Sequence, residues 1–244
     1  MKNFNVKINY LYNSGFAVQT KGYLLIFDYF KDSVDFGNKN ISSGAIAEND
    51  LRVDKEVLVF SSHNHRDHFN PVILDWKKIR EDIKYIISSD ITIGKKDMRI
   101  HVLSPYEELS IEDVHIKAYG STDAGISFLI KVDGVVIFHS GDLNWWHWWD
   151  ESREDNEKAG KSFKEEIEKI KGEDVDIAFF PVDPRLKDDY YMGPEYFIKE
   201  INPKVLVPMH FGSNYDITKK FSDKERGLPV KIMEITHRGQ EILL

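Results

Sequence analysis

Short runs of apolar residues, broken by turn-forming polar ones, recur along the whole 244-residue chain. Near the start, "FAVQT" and "YLLIFDYF" flank Lys21-Gly22. They predict a hairpin, because glycine takes the positive φ of a tight turn without steric cost. Asp28 ends the second strand. Residues 31–53 are polar, carry Gly37 and Gly44, sustain no period and read as loop. "EVLVFSS" at 56–62 is a continuous apolar run, the pattern of a strand buried on both faces. Beyond it, Pro71 suits the first position of a helix, with Asn70 as its N-cap and Phe69 and Leu74 at the spacing of a hydrophobic staple.

"KYIISS" predicts the next strand, and several more follow between Arg99 and Ser140. Among these, "GISFLIKV" and "VVIFHS" flank Asp133-Gly134, the strongest short-range hairpin signal in the chain. In "SFKEEIEKIKGEDV", Phe163, Ile167 and Ile170 recur at helical spacing, Glu165 and Lys169 form an i,i+4 pair, and Gly172 suits the stop. A strand "DIAFFPV", a helix "PEYFIKEI" opened by Pro194, and a strand "KVLVPMHF" reaching His210 complete the pattern. Many strands with interspersed helices point to an α/β protein of sheet layers covered by helices. No linker or change of composition divides the chain, so one domain over 1–244 is expected, and no internal repeat is visible.

Composition narrows the function. A hydrophobic share of 41% is enough for a sizeable core. A formal charge of −8, without any Lys/Arg run interleaved with aromatics, argues against nucleic acid as a partner. "MKNFNVKINYLYNSGF" alternates where a signal peptide needs an unbroken apolar stretch, and nothing reaches the length of a membrane span, so no stable membrane association is expected. The absence of cysteine excludes disulfides and thiolate ligands and, with the missing signal, favours the cytoplasm. Any metal is therefore held by nitrogen and oxygen, and the expected partner is a small-molecule substrate. Oligomeric state leaves no mark in the sequence.

The buried strand at 56–62 delivers "HNHRDH", that is His63, His65, Asp67 and His68. One loop cannot place four ligands on one ion without crowding, whereas alternate residues can face two neighbouring ions. A histidine-rich surface loop is the bland alternative, and the position between a buried strand and a capped helix argues against it. Imidazole and carboxylate suit Zn²⁺, and also Fe or Mn.

With "HSGD" at Asp142 after a hairpin and "PMH" at His210 after a late strand, this motif resembles the metallo-β-lactamase superfamily, from the first hairpin to residue 210. The resemblance implies a four-layer αββα sandwich with two metal ions along one edge. It implies His63 and His65 as ligands of the first metal, Asp67, His68 and His210 of the second, and Asp142 as the bridge. The family's third histidine for the first metal has no counterpart here: that region reads "KAYGSTDAGISF". Asp123 is the first choice of substitute, Ser121 and Thr122 are weaker oxygen donors, and His147 is a longer shot. A site with only one ion is also open. The nearest likeness is to the branch of ascorbate-6-phosphate lactonase and N-acyl-phosphatidylethanolamine phospholipase D.

The implied activity is hydrolysis of an ester, lactone, amide or phosphodiester by a metal-activated water, with Asp67 orienting the nucleophile and Asp142 spacing the ions as the catalytic carboxylates. The rival from another class is a non-catalytic sensor that keeps the fold and binds a metal or small ligand. Candidate substrate contacts lie in "DLNWWHWWDE", where Trp145, Trp146, Trp148 and Trp149 surround His147, and in "PVDPRLKDDYYMGP", with Arg185, Tyr190 and Tyr191. The tryptophans serve equally as a packing plug or a dimer contact, and Arg185 could simply pair with Asp183, Asp188 or Asp189. His101, His115 and His237 carry little weight as ligands, while His139, three before Asp142, suits a supporting hydrogen bond.

Overall fold

The computed structural model describes residues 4–94 and 96–244. They fall into two compact units, Met1–Leu103 with His237–Leu244, and Ser104–Thr236. Each unit contains one seven-stranded sheet.

In the first unit the sheet comprises β1 (Lys7–Tyr12), β2 (Gly15–Gln19), β3 (Tyr23–Phe27), β4 (Glu56–Ser61), β5 (Lys84–Ser88), β6 (Ile100–Leu103) and the C-terminal β14 (Glu241–Leu243). The order is β14-β1-β2-β3-β4-β5-β6, antiparallel as far as β3 and parallel from β3 to β6. As the unbroken apolar run predicts for a central parallel strand, β4 is buried from Val57 to Ser61. Leu24, Ile26, Val57, Val59, Tyr85 and Ile87, at alternate positions of β3, β4 and β5, pack with Leu51 of the short helix α1 (Glu48–Leu51) and with Ile73 and Trp76.

Three local expectations change in detail. The first hairpin forms, but Gly22 is not among the left-handed glycines of the described residues; Thr20 closes the turn instead, its Oγ1 accepting from Tyr23 N at 3.3 Å. Asn70 caps as expected, accepting from Val72 N at 3.1 Å, yet the segment it opens, Pro71–Lys78, is a 3₁₀ helix. The carbonyl of Ile73, which an α-helix would offer to residue 77, accepts from the buried Tyr85 hydroxyl at 2.8 Å. The polar stretch 31–53 is mainly loop but holds α1 and a 3₁₀ turn at Ile41–Ser43.

The second unit repeats this pairing plan. Its sheet runs β13-β12-β11-β10-β9-β8-β7, with β7 (Glu108–Ile111), β8 (Val114–Tyr119), β9 (Ser127–Val132), β10 (Val135–His139), β11 (Ile177–Pro181), β12 (Val205–Met209) and β13 (Lys231–Ile232). Again one half is antiparallel, β7 to β10, and the other parallel, β10 to β13. The Asp133-Gly134 turn has φ of 48° and 76°, the two left-handed residues of a type I′ hairpin. Helices α2 (Arg153–Ile170), α3 (Met192–Ile201) and α4 (Asp216–Lys224) belong to the same unit. Phe197 of α3 stacks on Phe138 at 5.2 Å and packs tilted against Phe180 at 4.6 Å, and Phe163 of α2 meets Phe180 at 6.3 Å.

Helix α2 starts well before the "SFKEEIEKIKGEDV" segment, where Ser152 caps it by accepting from Asp155 N at 3.1 Å. Its first half escapes the periodicity because its buried positions are Asn156 and Gly160 rather than large apolar residues. Gly160 has a steric reason: a Cβ there would lie 2.7 Å from the ring of Trp145. Helix propensity alone would make Gly160→Ala stabilising by about 1 kcal/mol. We expect instead a loss of about 1–3 kcal/mol from overpacking against Trp145, read as a lower urea midpoint at unchanged slope.

Candidate metal centre and its supporting shell

Parallel strands deliver their C-terminal ends to one edge of a sheet, and polar residues gather there. In the first unit β3 leads into Asp28 and β4 into Ser62 and His63; in the second, β10 leads to Asp142, β11 to Asp183 and β12 to His210.

The first unit's edge is organised by Asp28, fully buried and left-handed at φ 40°. One oxygen accepts from Ser62 N at 2.8 Å; the other accepts from Ser62 Oγ and from His68 Nδ1, both at 2.7 Å. Because Ser62 Oγ donates to Asp28, it accepts from His63 Nδ1 at 2.9 Å. Both rings are therefore held in the Nδ1–H tautomer, which places the lone pair on Nε2. His63 and His68 are buried, with ring centroids 4.1 Å apart. His65 is exposed and stands edge-on to His63 at 4.6 Å. His68 N and Phe69 N both donate to His65 O at 3.0 Å, a turn that folds the motif back on itself. Asp67 Oδ2 accepts from Asn13 Nδ2 at 3.1 Å and lies 3.6 Å from His68 Nε2.

The second unit repeats the device. Asp183, almost fully buried, accepts from His210 Nδ1 at 2.9 Å, which turns His210 Nε2 toward Asp142 Oδ1 at 3.4 Å. His210, like Asp28, is left-handed, at φ 63°. Burial pushes the Asp183 carboxyl up, but bonds from His210 and Arg185 outweigh it and hold the group below the usual carboxylate range. The turn to Asp142 is ordered from two sides. Gly141 N donates to His139 Nδ1 at 3.3 Å, and the Trp146 indole donates to Asp142 O at 2.9 Å.

These donor sets suit a metal ion. Bonds of about 2.0–2.2 Å at tetrahedral angles put neighbouring ligand atoms about 3.3–3.6 Å apart. The Asp67–His68 and Asp142–His210 pairs, at 3.6 and 3.4 Å, have that spacing. Nitrogen and oxygen donors with carboxylate-anchored imidazoles match zinc, iron or manganese.

The loop without a histidine is braced by its hydroxyls. Thr122 Oγ1 donates to Asn144 O at 2.6 Å and accepts from Asn144 N at 3.0 Å, while Ser121 Oγ accepts from Asp123 N at 3.3 Å. Behind it, buried Glu166 accepts from Gly120 N at 2.7 Å. The exposed Asp123 has a carboxylate oxygen within 4.8 Å of one of Asp142, and both line a cleft of about 310 Å³ with Trp146, Trp148 and Arg185.

Other sequence candidates make contacts of their own. Trp145 packs over Gly160 and against Phe163 and Tyr196. His147 Nδ1 pairs with Asp189 at 3.0 Å. Tyr190 is buried beneath Lys220, whose Nζ is 4.5 Å from the ring, and burial raises its pKa. His115 lies near Glu108 and Ser110 on the β7–β8 side of the sheet. Sequence reasoning did not single out Asp28, Ser62, Asn13 or Asp183 for the site. Asp28 and Asp183 did carry a signal, a polar residue closing an apolar strand, the same one that marks His63 and His210.

A model described as the beta-lactamase superfamily domain matches residues 7–147, more than half of the chain. The chain belongs to the metallo-β-lactamase superfamily. Among its relatives in that superfamily, a UPF0173 metal-dependent hydrolase of Bacillus velezensis is 22% identical, over 98% of this chain and 100% of the relative. Another, from Pelotomaculum thermopropionicum, is 20% identical over 85% of each chain. The solved structure of Igni18, a metallo hydrolase of Ignicoccus hospitalis, is similar with a TM-score of 0.63 and 16% identity, covering 98% of each chain. The α/β superfamily fold expected from the sequence is thereby established, and the curated relatives are named as metal-dependent hydrolases.

If Asp28 and Asp183 anchor metal-ligating imidazoles, Asp28→Asn and Asp183→Asn should each weaken metal affinity by about 10–100-fold, measured by competition with a chromogenic chelator.

Proposed function

We propose that this chain is a metal-dependent hydrolase with His63, His65, Asp67, His68, Asp142 and His210 as its metal ligands. The observation that carries this reading is the ligand-like donor spacing present in each unit separately, 3.6 and 3.4 Å, with each imidazole tied to a buried carboxylate. Asp123, beside Asp142, takes the place of the absent histidine. Residues 1–244 act as one domain, a reading supported by the path of the chain: β14 returns to pair with β1 after the whole second unit has been traversed.

Zinc is the first candidate, as one or two ions, with Mn or Fe as alternatives. When bound, the metal supplies Lewis acidity and brings the pKa of water toward neutrality. Asp67, held by Asn13, orients the attacking water and accepts its proton on a carboxylate oxygen. Asp28 and Asp183 keep protons on the Nδ1 atoms of His68 and His210, so both rings stay in the ligating tautomer. Asp142 receives a fixed position from the Trp146 indole and the His139-ordered turn. The substrate is a small molecule with an ester, lactone, amide or phosphodiester bond. The cytoplasm is the proposed location, supported by the lack of cysteine and by the lack, among the described residues, of a helix long and apolar enough to cross a membrane.

The test is elemental analysis of untagged protein before and after supply of Zn²⁺, Mn²⁺ and Fe²⁺, followed by a chromogenic ester, lactone and phosphodiester panel. At least one ion per chain and turnover are expected, with Asp67→Ala and Asp142→Ala each lowering the rate by about 10²–10⁴-fold. Folded, metal-loaded protein without turnover across the panel would favour the sensor instead.

A further inference from the structure

The loop without the family's third histidine is held by a carboxylate that no metal-ligand motif includes. Glu166, on α2, is buried, and three donors meet it. Its Oε1 accepts from Gly120 N at 2.7 Å, and its Oε2 accepts from the Tyr106 hydroxyl at 2.9 Å and from Lys169 Nζ at 2.7 Å. Gly120 follows directly on β8 and opens the segment that leads to Asp123. It is pinned from the other side as well, because Ser127 Oγ, at the start of β9, donates to Gly120 O at 3.1 Å. The approach requires glycine: a Cβ at position 120 would lie 2.9 Å from Glu166 Cδ. Two residues further on, Thr122 exchanges two bonds with the Asn144 backbone.

We infer that Glu166 is a positioning residue of the metal centre: through Gly120 it sets the loop that carries Asp123 beside Asp142. This role rests on the hydrolase reading above, with Asp123 as substitute ligand, and adds the residue that makes the substitution work. Three physical points support it. A buried carboxylate must be met by donors, and Glu166 takes one of its donors from the loop backbone, so its demand fixes the path of the chain itself. Asp123 cannot fix its own place: it is exposed, and among the described residues no hydrogen bond or ion pair holds its carboxylate, only its backbone N being bonded, to Ser121 Oγ. Finally, carboxylate oxygens of Asp123 and Asp142 lie within 4.8 Å of each other, and like charges so placed repel when no cation lies between them. The bonds at Gly120 and Thr122 oppose that repulsion, so the pair is organised in advance and less ordering is left for metal binding to impose.

The experiment is a double-mutant cycle on Zn²⁺ affinity, read by competition with a chromogenic chelator on the untagged full chain, with the urea midpoint of every variant recorded. Asp123→Asn and Glu166→Ala should each weaken Zn²⁺ binding about tenfold. In the Asp123→Asn background, Glu166→Ala should change the affinity by less than about twofold, because the ligand it positions is already lost. Glu166→Gln, which still offers an oxygen to Gly120 N, should recover most of the affinity. Ser127→Ala releases Gly120 from the opposite side and should give a smaller loss that also vanishes with Asp123→Asn; it decides the matter if Glu166→Ala does not fold. An equal loss in both backgrounds, or a lowered urea midpoint with unchanged affinity, would overturn the inference and leave Glu166 as a packing residue. Zn²⁺ binding that responds to Asp123→Asn but to neither Glu166→Ala nor Ser127→Ala would sink this inference alone. Affinity indifferent to Asp123→Asn would remove Asp123 as a ligand and Glu166 with it, and a chain that takes up no metal would sink the hydrolase reading as well.

Discussion

A carboxylate taken out of water costs on the order of several kcal/mol unless its oxygens are met by donors. Asp28 and Asp183 meet that condition in part through the imidazoles they hold. Asp28 is satisfied by both donors of Ser62 and by His68, and Asp183 by His210 and Arg185. Because each bond uses Nδ1–H, the demand of the buried charge dictates the tautomer of the ring. The orientation of His68 and His210 is thus set by satisfying two buried anions, one in each unit.

The sheets explain why these residues can be placed so closely. Both follow the same plan, an antiparallel half joined to a parallel half through β3 or β10. In the parallel half, successive strands end on the same edge, so residues far apart in the chain arrive as neighbours. The chain then has to leave the strand direction at once, and it does so through left-handed residues: Asp28 at 40°, Gly141 at 53° and His210 at 63°. For the two non-glycine residues this conformation costs about 1–3 kcal/mol each. It is tolerated because the surrounding bonds over-determine the turn.

The run of tryptophans next to Asp142 illustrates how one composition can serve separate ends. Trp145 fills the gap left by Gly160 on α2; Trp146 is buried, edge-on to His210 at 5.6 Å, and donates to the backbone of Asp142. Trp148 faces the cleft, and Trp149 is 58% exposed beneath the Lys187 ammonium. The Pro184–Asp189 segment meets this run at alternate residues, Arg185 with Trp148, Lys187 with Trp149 and Asp189 with His147. The loops after β10 and β11 therefore brace each other, and the pairing of Arg185 with Asp183 orders the loop while keeping the guanidinium at the cleft.

Features governed by near neighbours in the chain were legible without the structure. The apolar runs that become β4, β11 and β12, the Asp133-Gly134 turn and the Asn70 cap follow from φ/ψ preferences and burial patterns that act over a few residues. The histidine motif was conspicuous because its ligand-type residues are adjacent in sequence. The first half of α2 was not legible, since Gly160 and Asn156 occupy its buried face for the sake of Trp145 and the Trp148 backbone, which lie outside the helix. Asn13 and Asp67, Asp28 and His68, and Asp183 and His210 are 54, 40 and 27 residues apart. Nothing local marks such a pair, because what joins its members is strand pairing over long range: parallel β3–β4 and β11–β12 for the two Asp–His pairs, and the antiparallel β1–β2 turn that presents Asn13. The sequence by itself therefore determined which chemistry is available and at which strand ends it stands; the tertiary structure alone decided which carboxylate holds which ring, because that depends on charges being buried together.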